Sequence, residues 1–597
     1  METLKVQSTS KGELIMKTLG KGILGLLAVF FLASTSSAAV VDVVSDITTS
    51  TTWTADNTYN LTQQIYVKPG ATLTIEAGTL VQSDAGVGGS LAVTQGAKIF
   101  VNGTEDNPVI MTSTNDDLVT WREAMNEWGN LTIMGKGLIS ASHFGGAPVG
   151  TNTKDPSGLN VKQMEGLTPD FVGDPDVVFG GADDNDDSGS ISYLSLRYGG
   201  KVIGLGNELN GLSLGGIGRE TDIHHVEVMN NVDDGIEIWG GTVNLKNISI
   251  WNVGDDSFDI DEGWRGKAQF ILIVQGYSAN ASQGSGVGDN AFETDGAEDS
   301  DAQPVTTSAI YNCTVIGQPD NNGGDHGTAW RDNARVQYHN CIFMDIGEQV
   351  VKNDGDDGDG ALGYGANGTL SFADTWTTDY TVTSTINDCI GCNPGDFNHA
   401  DTLYTVQTSG KLAEIKDSVF YNNDNASAYT EAIARGVFTA ANNNVQEPAS
   451  SPIKSITREA PVVKGGKNMA RVTNLDPRAA NDATASVDMA PADGFFTPAP
   501  YRGAFSADNN WLCGWTAANA FGITTACSNP ADPDSTIQLV GTVLSFPTTN
   551  GILYSVEESS DGASFAPFAV VEGDGSTVNV SDLSGFDSSK IYRVVAL

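Results

Sequence analysis

One apolar pattern returns along this chain at a fixed interval, and few folds allow that. Residues 67–75 and 93–101 share the same alternation of apolar positions, begin 26 residues apart, and have Gly70 and Gly96 at the same place. Self-similarity at such an interval is the signature of a solenoid, in which each repeat contacts only its neighbours. The chain is therefore predicted to stack short repeats.

A second strand continues the repeat through the middle of the chain. Alternating apolar residues recur in seven short segments, several of them 22 to 28 residues apart: 193–196, 225–228, 247–250, 270–273, 312–315, 340–343 and 417–420. Alternation sends one set of side chains inward, and this advance suits a coil of three short strands and three turns. Larger intervals fit turn insertions. The predicted fold is all-β, a right-handed parallel β-helix.

Asx residues follow this strand at one equivalent turn position, at Asn230, Asn252, Asp345 and Asn422. Their side chains tolerate the left-handed conformation and can hydrogen-bond along the stack. This pattern predicts an asparagine ladder of the kind found in parallel β-helices. Ordinary turn chemistry explains the same residues without any function.

The repeat does not extend over the whole chain. The β-helix is expected over residues 40–446. Residues 447–530 lose the period and become rich in proline and aromatic residues, which predicts an irregular cap over the open end of the solenoid. Residues 531–597 contain short alternating runs that predict a small β-sandwich-like module.

Residues 1–39 have the layout of a secretory signal peptide. Lys17 and Lys21 precede an apolar run at residues 23–32, and small residues follow up to Ala39. Met16 begins a conventional signal peptide, so the residues before it are interpreted as an upstream extension. The run is too short to span a bilayer, and no later segment is long enough. A secreted or cell-surface protein is expected, with no transmembrane segment in the mature chain.

The charge balance excludes one class of partner. The sequence has 74 acidic and 31 basic residues, a net charge of -43. This charge would repel phosphate backbones and anionic membranes, so no nucleic-acid partner is expected. Acid spread along the whole chain is typical of an adaptation for solubility.

Six cysteines in an exported chain predict disulfides, in three pairs: Cys313 with Cys341, Cys389 with Cys392, and Cys513 with Cys527. The first pair occupies equivalent positions on successive coils, about 4.8 Å apart. That spacing fits either a disulfide or a stack of buried thiols. The second pair lacks the residues of a haem or zinc site, so a local disulfide is favoured.

The densest acidic stretch falls on three aligned segments, residues 233–239, 255–261 and 289–295. Their outward faces are predicted to carry two columns of side chains, with Glu237, Asp259 and Glu293 in one and Trp239, Asp261 and Asp295 in the next. Stacked carboxylates raise one another's pKa by repulsion. Such a column therefore needs a cation, basic neighbours or shared protons.

Three arrangements would satisfy the acids. Ca²⁺ prefers these oxygen ligands, and more are offered by Asp222, Glu262 and residues 354–359. Basic side chains would instead form a structural network, with the candidates Arg265, Lys267, Arg331 and Arg335. Paired carboxylates would alternatively cleave a glycosidic bond, with sugars stacked on Trp239, Trp251, Trp264 or Trp330.

Two short motifs resemble those of polygalacturonases, which are parallel β-helices. These are Asn-Val-Asp ending at Asp233 and, one coil later, Asp255-Asp256. The resemblance implies that Asp233, Asp255 and Asp256 would be catalytic. The chain departs from the family at His326, which lacks the first glycine of Gly-His-Gly and lies several coils too far on, and no Arg-x-Lys follows. A pectate lyase would instead use Ca²⁺ with a basic proton acceptor, for which Arg331 is the candidate.

Motifs over most of the chain resemble a family of large exported bacterial β-helix proteins of the pectin-lyase-like fold. They lie at residues 51–59, 71–79, 128–135, 207–216, 239–243 and 495–505. This resemblance implies a cell-surface setting and brings no established reaction.

Three functions are therefore expected. The first is a non-catalytic scaffold, adhesive or glycan-binding, stabilised by Ca²⁺, with polysaccharide or other cell-surface components as partners. The second is a polysaccharide lyase or glycoside hydrolase that works on the face of residues 233–295. The third is a self-associating subunit of a surface layer or filament.

Overall fold

The computed structural model describes most of the chain after the predicted signal peptide. The described residues are 39–140, 161–181, 183–203, 209–276, 288–297, 304–319, 326–353, 363–365, 369–381, 406–423, 442–464, 466–527 and, in the last part, 538–540, 543–547, 553–559, 566–572, 577–580, 583 and 591–596. The chain divides into two compact units, one of Ala38–Ala526 and one that comprises Met1–Ser37 and Cys527–Leu597.

The larger unit contains a solenoid of short strands with one short helix. In chain order they are β1 (Ala39–Val43), β2 (Thr51–Trp53), β3 (Asn57–Leu61), β4 (Gln64–Val67), β5 (Thr72–Glu76), β6 (Leu80–Ser83), β7 (Ser90–Val93), β8 (Lys98–Asn102), β9 (Val109–Ser113), β10 (Leu131–Met134), β11 (Val161–Gln163), β12 (Val178–Gly180), β13 (Gly189–Arg197), β14 (Leu212–Gly215), β15 (Asp222–Met229), β16 (Ile236–Trp239), β17 (Asn244–Trp251), β18 (Phe258–Asp261), β19 (Lys267–Val274), β20 (Asn290–Thr294), β21 (Thr307–Ile316), β22 (His326–Trp330), β23 (Arg335–His339), β24 (Ile342–Met344), β25 (Val351–Asn353), α1 (Phe372–Thr375), β26 (Glu414–Lys416), β27 (Val419–Tyr421) and β28 (Val445–Gln446).

All of these strands except β11 and β12 form two long parallel sheets. Among the described residues, sheet A has 17 strands and sheet B has nine, ordered β25-β22-β20-β18-β16-β14-β10-β7-β4. The repeat seen in the sequence is the register of the stack, because β5 pairs with β8 through Thr72 and Lys98, which are 26 residues apart. The predicted all-β parallel β-helix is confirmed.

The coils differ from the expected three separate strands. In the first coils β5 and β6 are distinct, from β13 to β21 one long strand of sheet A replaces them, and the later pairs β23/β24 and β26/β27 are separate again. The long strand bends at a residue with positive φ, such as His225 (53°) or Asn247 (57°), and the pairing of β15 with β17 skips this residue. The left-handed residue therefore joins two predicted strands through a corner.

The predicted asparagine ladder is confirmed at the next corner. Asn230, Asn252, Asp345 and Asn422 all have φ between 52° and 62°. The Asn252 Nδ2 donates to Asn230 Oδ1 at 3.1 Å, and Asn422 Nδ2 donates to Asp345 Oδ1 at 2.5 Å. Asx side chains thus satisfy one another across neighbouring coils.

Inward side chains of both sheets form one continuous apolar core, and this core corrects one prediction. Cys313 and Cys341 are buried free cysteines, not a disulfide. Each takes an inward position among aliphatic and aromatic side chains, where a thiol packs as a small apolar group. Burial, reinforced by Cys341, raises the pKa of the Cys313 thiol. Cys513 and Cys527 are disulfide-bonded, as predicted, and Cys389 and Cys392 lie outside the described residues.

The segment expected to cap the end of the solenoid lies along its side. We call the described residues 451–464 and 466–526 the strap. Its elements are β29 (Ile453–Arg458), β30 (Val462–Lys464), β31 (Lys467–Met469), β32 (Val472–Ala479), a 3-10 turn (Asn481–Thr484) and α2 (Ala517–Ala520). Its apolar residues, such as Leu475 and Phe505, pack against outward residues of sheet A, including Trp251, Leu272 and Ile342. The strap therefore gives sheet A a second buried face.

The strap is also hydrogen-bonded to the coils. Asn312 Nδ2 donates to the Tyr501 carbonyl at 2.8 Å, and the Ala504 N–H donates to Thr314 Oγ1 at 2.9 Å. The Gly503 N–H donates to the Asn340 carbonyl at 2.7 Å. These bonds satisfy the backbone of a segment that has little regular structure of its own.

The smaller unit contains two three-stranded antiparallel sheets. One is ordered β33-β34-β37 and the other β36-β35-β38, with strands β33 (Gln538–Val540), β34 (Val543–Pro547), β35 (Leu553–Ser559), β36 (Ala566–Glu572), β37 (Thr577–Asn579) and β38 (Ile591–Ala596).

In the part of the chain that the structure describes, α1 and α2 have four residues each, and no helix reaches the length and apolarity needed to cross a membrane.

Candidate metal centre

The predicted acidic column exists on the outer face of sheet B. Glu237 of β16 pairs with Asp259 of β18, which pairs with Glu293 of β20. Their strand neighbours Ile238 and Ile260 point into the core, so the alternation of the strand turns the carboxylates outward. The sequence repeat alone placed these three acids one above another.

The structure brings two overlapping groups of carboxylates together. Asp234, Glu237 and Asp259 each offer an oxygen within 4.8 Å of the others, and all three are buried. Asp233, Asp234 and Asp255 form a second such group, in which Asp233 and Asp255 are half-buried. Asp234 belongs to both groups, so it links a buried set of oxygens to one that solvent reaches.

Backbone amides of the next coil hold the turn carboxylates in place. The Asp256 N–H donates to Asp234 Oδ1 at 2.8 Å, and the Asn290 N–H donates to Asp256 Oδ1 at 2.6 Å. Each acid therefore has a structural role at the start of a sheet B strand. Asp256, predicted to be catalytic, is buried with 5% of its surface exposed.

Burial makes the ionised form of this cluster costly. Burial first, and then neighbouring carboxylates, raises the pKa of Asp234, Glu237 and Asp256 well above their ordinary values. Burial and the charge of Asp261 raise the pKa of Asp259 to about 7. The group thus holds shared protons or takes up a cation near neutral pH.

Arg331 neutralises the far end of the column. Its guanidinium forms ion pairs with Glu293 and, at 2.9 Å, with Asp295. Despite burial, these carboxylates raise the pKa of Arg331, which therefore stays charged. Glu293 and Asp295, predicted as metal ligands, are bound by this arginine. One guanidinium compensates only part of two negative charges, and burial keeps the pKa of both acids raised.

The near end of the column has oxygens that lack such a partner. Asp259 is 6% exposed, and among the described residues its Oδ1 accepts no hydrogen bond. The same is true of Oδ1 of Asn210, which is 2% exposed and whose Nδ2 donates to Glu237 Oε2. Buried acceptors without a donor are uncommon in native proteins, and an ordered water or a cation would satisfy them.

The other candidate residues lie elsewhere. Arg265 binds Asp184 through both terminal nitrogens, at 2.6 and 2.8 Å, and Lys267 pairs with Asp493 at 2.5 Å. Arg335 is buried in the wall of the solenoid. The acidic run at residues 354–359, which was predicted to offer further calcium ligands, lies outside the described residues.

Two remaining acids have local partners. Glu262 is paired with Lys162, and Asp261 accepts the Glu262 N–H at 2.5 Å. Asp222 lies at the start of β15, beside His224. The predicted ligand set is thereby reduced to Glu237 and Asp259, with Asp234 added.

The prediction that four tryptophans stack against sugars is wrong, because all four side chains are buried. Trp264 and Trp330 are fully buried inward residues of the solenoid core, and Trp251 lies beneath the strap. Trp239 does point outward, but Phe179 of β12 covers it at a ring distance of 5.9 Å. These four rings therefore present no free face for a sugar to stack upon.

An insertion that the sequence does not place covers part of sheet B. Strands β11 and β12 pair in antiparallel fashion, and Met164 and Phe179 pack on Trp239 and Met134. Glu165 of the same insertion contributes to the raised pKa of Glu237. The motif that contains Asn210 was recognisable in the sequence, but its contact with Glu237 was not.

His326 lies too far along the stack for the polygalacturonase arrangement. Asp256 is followed by Asn290 one coil on, and Asn290 pairs with His326 in the coil after that. Both ring nitrogens are engaged, Nδ1 with Asn290 Oδ1 at 2.8 Å and Nε2 with Glu348 Oε2 at 2.9 Å. Burial lowers the pKa of His326.

Comparison with known proteins agrees with this architecture. A family model described as a pectate-lyase-like β-helix domain matches residues 45–418, which is more than half of the 597 residues and contains all of sheet B and most of sheet A. Neither a curated protein nor a solved structure gives a significant match. The chain belongs to the family of pectate-lyase-like β-helix domains.

Proposed function

We propose that this protein is a secreted or cell-surface β-helix scaffold whose acidic coils hold a calcium ion. The observation that carries the proposal is the buried group of Asp234, Glu237 and Asp259, in which Asp259 Oδ1 accepts no hydrogen bond from the described residues. Export rests on the signal-peptide pattern of the sequence, and the scaffold role rests on the continuous core.

The donor set suits a hard cation. The three side chains offer only carboxylate oxygens, and the Asn210 carboxamide contributes another buried oxygen next to Glu237. Ca²⁺ prefers six to eight such oxygens and tolerates irregular geometry. Softer metals prefer imidazole or thiolate, which the two carboxylate groups do not contain.

Calcium would stabilise the solenoid by linking neighbouring coils. Asp234 and Glu237 belong to one coil and Asp259 to the next, so one ion would join them and offset their mutual repulsion. A ligand that binds only the folded state stabilises it by about 2.7 kcal/mol at one hundred times its Kd. Polysaccharides or other surface components are the proposed partners of this scaffold, at faces other than the four buried tryptophans.

Thermal unfolding with and without calcium tests the proposal. We expect Ca²⁺ to raise the Tm of the EDTA-treated protein by several degrees and Mg²⁺ to raise it less. Asp259→Asn should abolish the calcium increment. It should also raise the Tm measured in EDTA, because it removes a buried carboxylate that is costly to ionise.

A charge-matched control separates the site from general screening of the acidic surface. Glu76→Gln removes one exposed carboxylate at the end of β5 and should leave the calcium increment unchanged. An equal increment in wild type and Asp259→Asn, or no increment in either, would refute the calcium site.

A second candidate function is a polysaccharide lyase or glycoside hydrolase. It is favoured by one observation, that the half-buried Asp233 and Asp255 lie within 4.8 Å of Asp234 at the solvent side of the cluster. A lyase also needs a proton acceptor. Arg331 does not fit that role, because its ion pairs raise its pKa.

Product release from a panel of acidic and neutral polysaccharides tests this alternative. Activity that is lost in the double variant Asp233→Asn, Asp255→Asn, with an unchanged Tm, would establish an enzyme. We expect no such activity, and the same double variant should keep most of the calcium increment because the buried group remains.

A further inference from the structure

Two consecutive histidines lie side by side on the outer face of sheet A. Consecutive residues of a strand normally point to opposite faces, but the positive φ of His225 (53°) places its ring beside that of His224. Their Nδ1 atoms are 2.8 Å apart. The residue at this corner in other described coils is Tyr193, Asn247, Phe270, Asn312, Asn340 or Asp417. Two consecutive histidines occur only at residues 224–225, so the pair is a feature of this coil alone among the described coils.

The strap covers this pair with aromatic rings. His225 is stacked on Tyr193 at 4.3 Å, while Trp515 and Trp511 of the strap approach its edge at 5.8 and 6.3 Å. The rings of Trp511 and Phe505 are stacked at 4.8 Å. The aromatic end of the strap therefore rests directly on the second histidine.

A second anchor lies two residues further along β15. The buried carboxylate of Glu227 accepts the N–H groups of Ala517 and Ala518, at 2.5 and 3.1 Å, and the Ser195 hydroxyl at 2.7 Å. β15 thus holds the α2 end of the strap at two points, one aromatic and one charged.

Besides Glu227, whose pKa burial raises, few charged groups lie near the histidines among the described residues. Asp222 lies on the same strand, Lys246 on the next coil, and Glu105 acts on Tyr193. From the strap, Asp493 acts on Lys246, and the two tryptophans carry no charge. Burial, then His224 and Lys246, lowers the pKa of His225 to about 3, and burial lowers that of His224.

We propose that the His224–His225 pair is an acid-sensitive latch, which holds the α2 end of the strap on β15 at neutral pH and releases it in acid while the solenoid stays folded. The Nδ1–Nδ1 hydrogen bond needs one nitrogen as donor and the other as acceptor. Two imidazolium rings would both be donors, and each would be desolvated beneath the tryptophans.

The sign of the pH dependence follows from the lowered pKa. An undocked histidine binds a proton near pH 6.5, whereas docked His225 does so only near pH 3. Between these values the undocked state binds more protons, so docking weakens as the pH falls. Stability from the latch is present above about pH 6.5 and is lost progressively below it.

A histidine beneath the middle of the strap, near Asp488, has the opposite response. His339 lies between Glu414 and Asp488, with Nε2 3.2 Å from a Glu414 oxygen and Nδ1 3.7 Å from an Asp488 oxygen. Burial lowers its pKa, but the two carboxylates outweigh burial and raise it. Mild acid therefore keeps His339 charged and retains this contact, so release should begin at α2.

Hydrogen exchange with mass spectrometry tests the latch in the full chain. Protection factors, corrected for the intrinsic pH dependence of exchange, are compared at pH 7.5 and 4.5 for residues 509–523 and 481–505. We expect protection to fall at least tenfold in the first segment and less than twofold in the second. His225→Asn, which installs the side chain found at this corner in three other coils (Asn247, Asn312 and Asn340), should remove the acid response.

Two further variants keep the proposal falsifiable. If the strap of the His225→Asn variant no longer docks at pH 7.5, a second variant, His224→Gln, is used. It retains the stacking of His225 on Tyr193 and should lower the pH at which the strap is released, because protonated His224 no longer repels protonated His225. Glu227→Gln tests the neighbouring carboxylate. Unchanged protection in wild type at pH 4.5, or a response that survives in both histidine variants and disappears in Glu227→Gln, would overturn the latch.

Discussion

The two ends of one acidic column differ in what lies opposite their carboxylates. Glu293 and Asp295 form ion pairs with Arg331, whereas Asp234, Glu237 and Asp259 form none with a basic side chain among the described residues. The charge of Arg331 also acts on Asp259, whose pKa nevertheless stays raised and whose Oδ1 accepts no hydrogen bond from those residues. All five acids lie in or next to strands of sheet B. A repeat can therefore stack equivalent acids while leaving each coil to neutralise them in its own way.

The comparison separates structural acids from a candidate ligand site. An arginine held by two carboxylates is a permanent counter-ion that a dissolved cation does not replace. An acid cluster with an unpaired buried oxygen depends instead on pH or on a cation in solution. Only the second kind lets the environment control the stability of the solenoid.

Loss of Arg331 should have the largest effect. Arg331→Gln leaves Glu293 and Asp295 without a counter-ion, and removal of one partner of a buried ion pair costs about 3 kcal/mol or more. The midpoint of urea unfolding, measured in EDTA, should fall accordingly. Lys98→Gln, which breaks a half-exposed pair with Asp187, should cost less than about 1 kcal/mol. Equal effects of the two variants would contradict the account.

Calcium should partly rescue the same variant. Without Arg331, the far end of the column resembles the near end, and Glu293 and Asp295 become available as ligands. We expect the calcium increment in Tm to be larger in Arg331→Gln than in wild type, and the stoichiometry measured by calorimetry to rise from one to two. An unchanged stoichiometry would show that freeing Glu293 and Asp295 does not create a second site, and so that loss of the counter-ion alone does not make these acids a cation site.

The pH dependence of the calcium-free protein should be smaller but specific. Asp259 has a pKa of about 7 when folded and near 4 when unfolded. The folded state therefore binds more protons between these values. The contribution of Asp259 to folding stability is greatest below about pH 4 and is lost as the pH rises through 7. In EDTA, the Tm should fall from pH 5.5 to 8, and Asp259→Asn should reduce that fall.

Latch release provides an internal check on this measurement, because its pH dependence has the opposite sign. His225 loses docking free energy as the pH falls, whereas Asp259 loses folding free energy as the pH rises. Protection of residues 509–523 should thus fall, and the Tm of the whole protein rise, as the pH is lowered. A common direction for both would mean that one of the two pKa shifts is assigned to the wrong cause.

The sequence predicted the column because register follows from the repeat. Glu237, Asp259 and Glu293 follow the same apolar alternation, so their stacking could be deduced without coordinates. The choice among Arg265, Arg331 and Arg335 could not be deduced. It depends on the direction in which each side chain points from its turn. Arg265 forms an ion pair with Asp184, a residue distant in sequence.

Two other errors have a similar origin. Trp330 is in register with Thr294, at an inward position, so the alternation already implied burial. Trp239 is outward, and its burial depends on an insertion whose packing has no periodic signature. The strap likewise lacks a period, so its side-on packing against sheet A could not be told from a cap over the end.

Direct calcium binding to the EDTA-treated protein tests the central claim most simply. Isothermal titration at pH 8 and 150 mM KCl, where salt screens weak surface sites, should show one saturable site that is lost in Asp259→Asn and retained in Glu76→Gln. Absence of a saturable site in wild type, or its persistence in Asp259→Asn, would contradict the account.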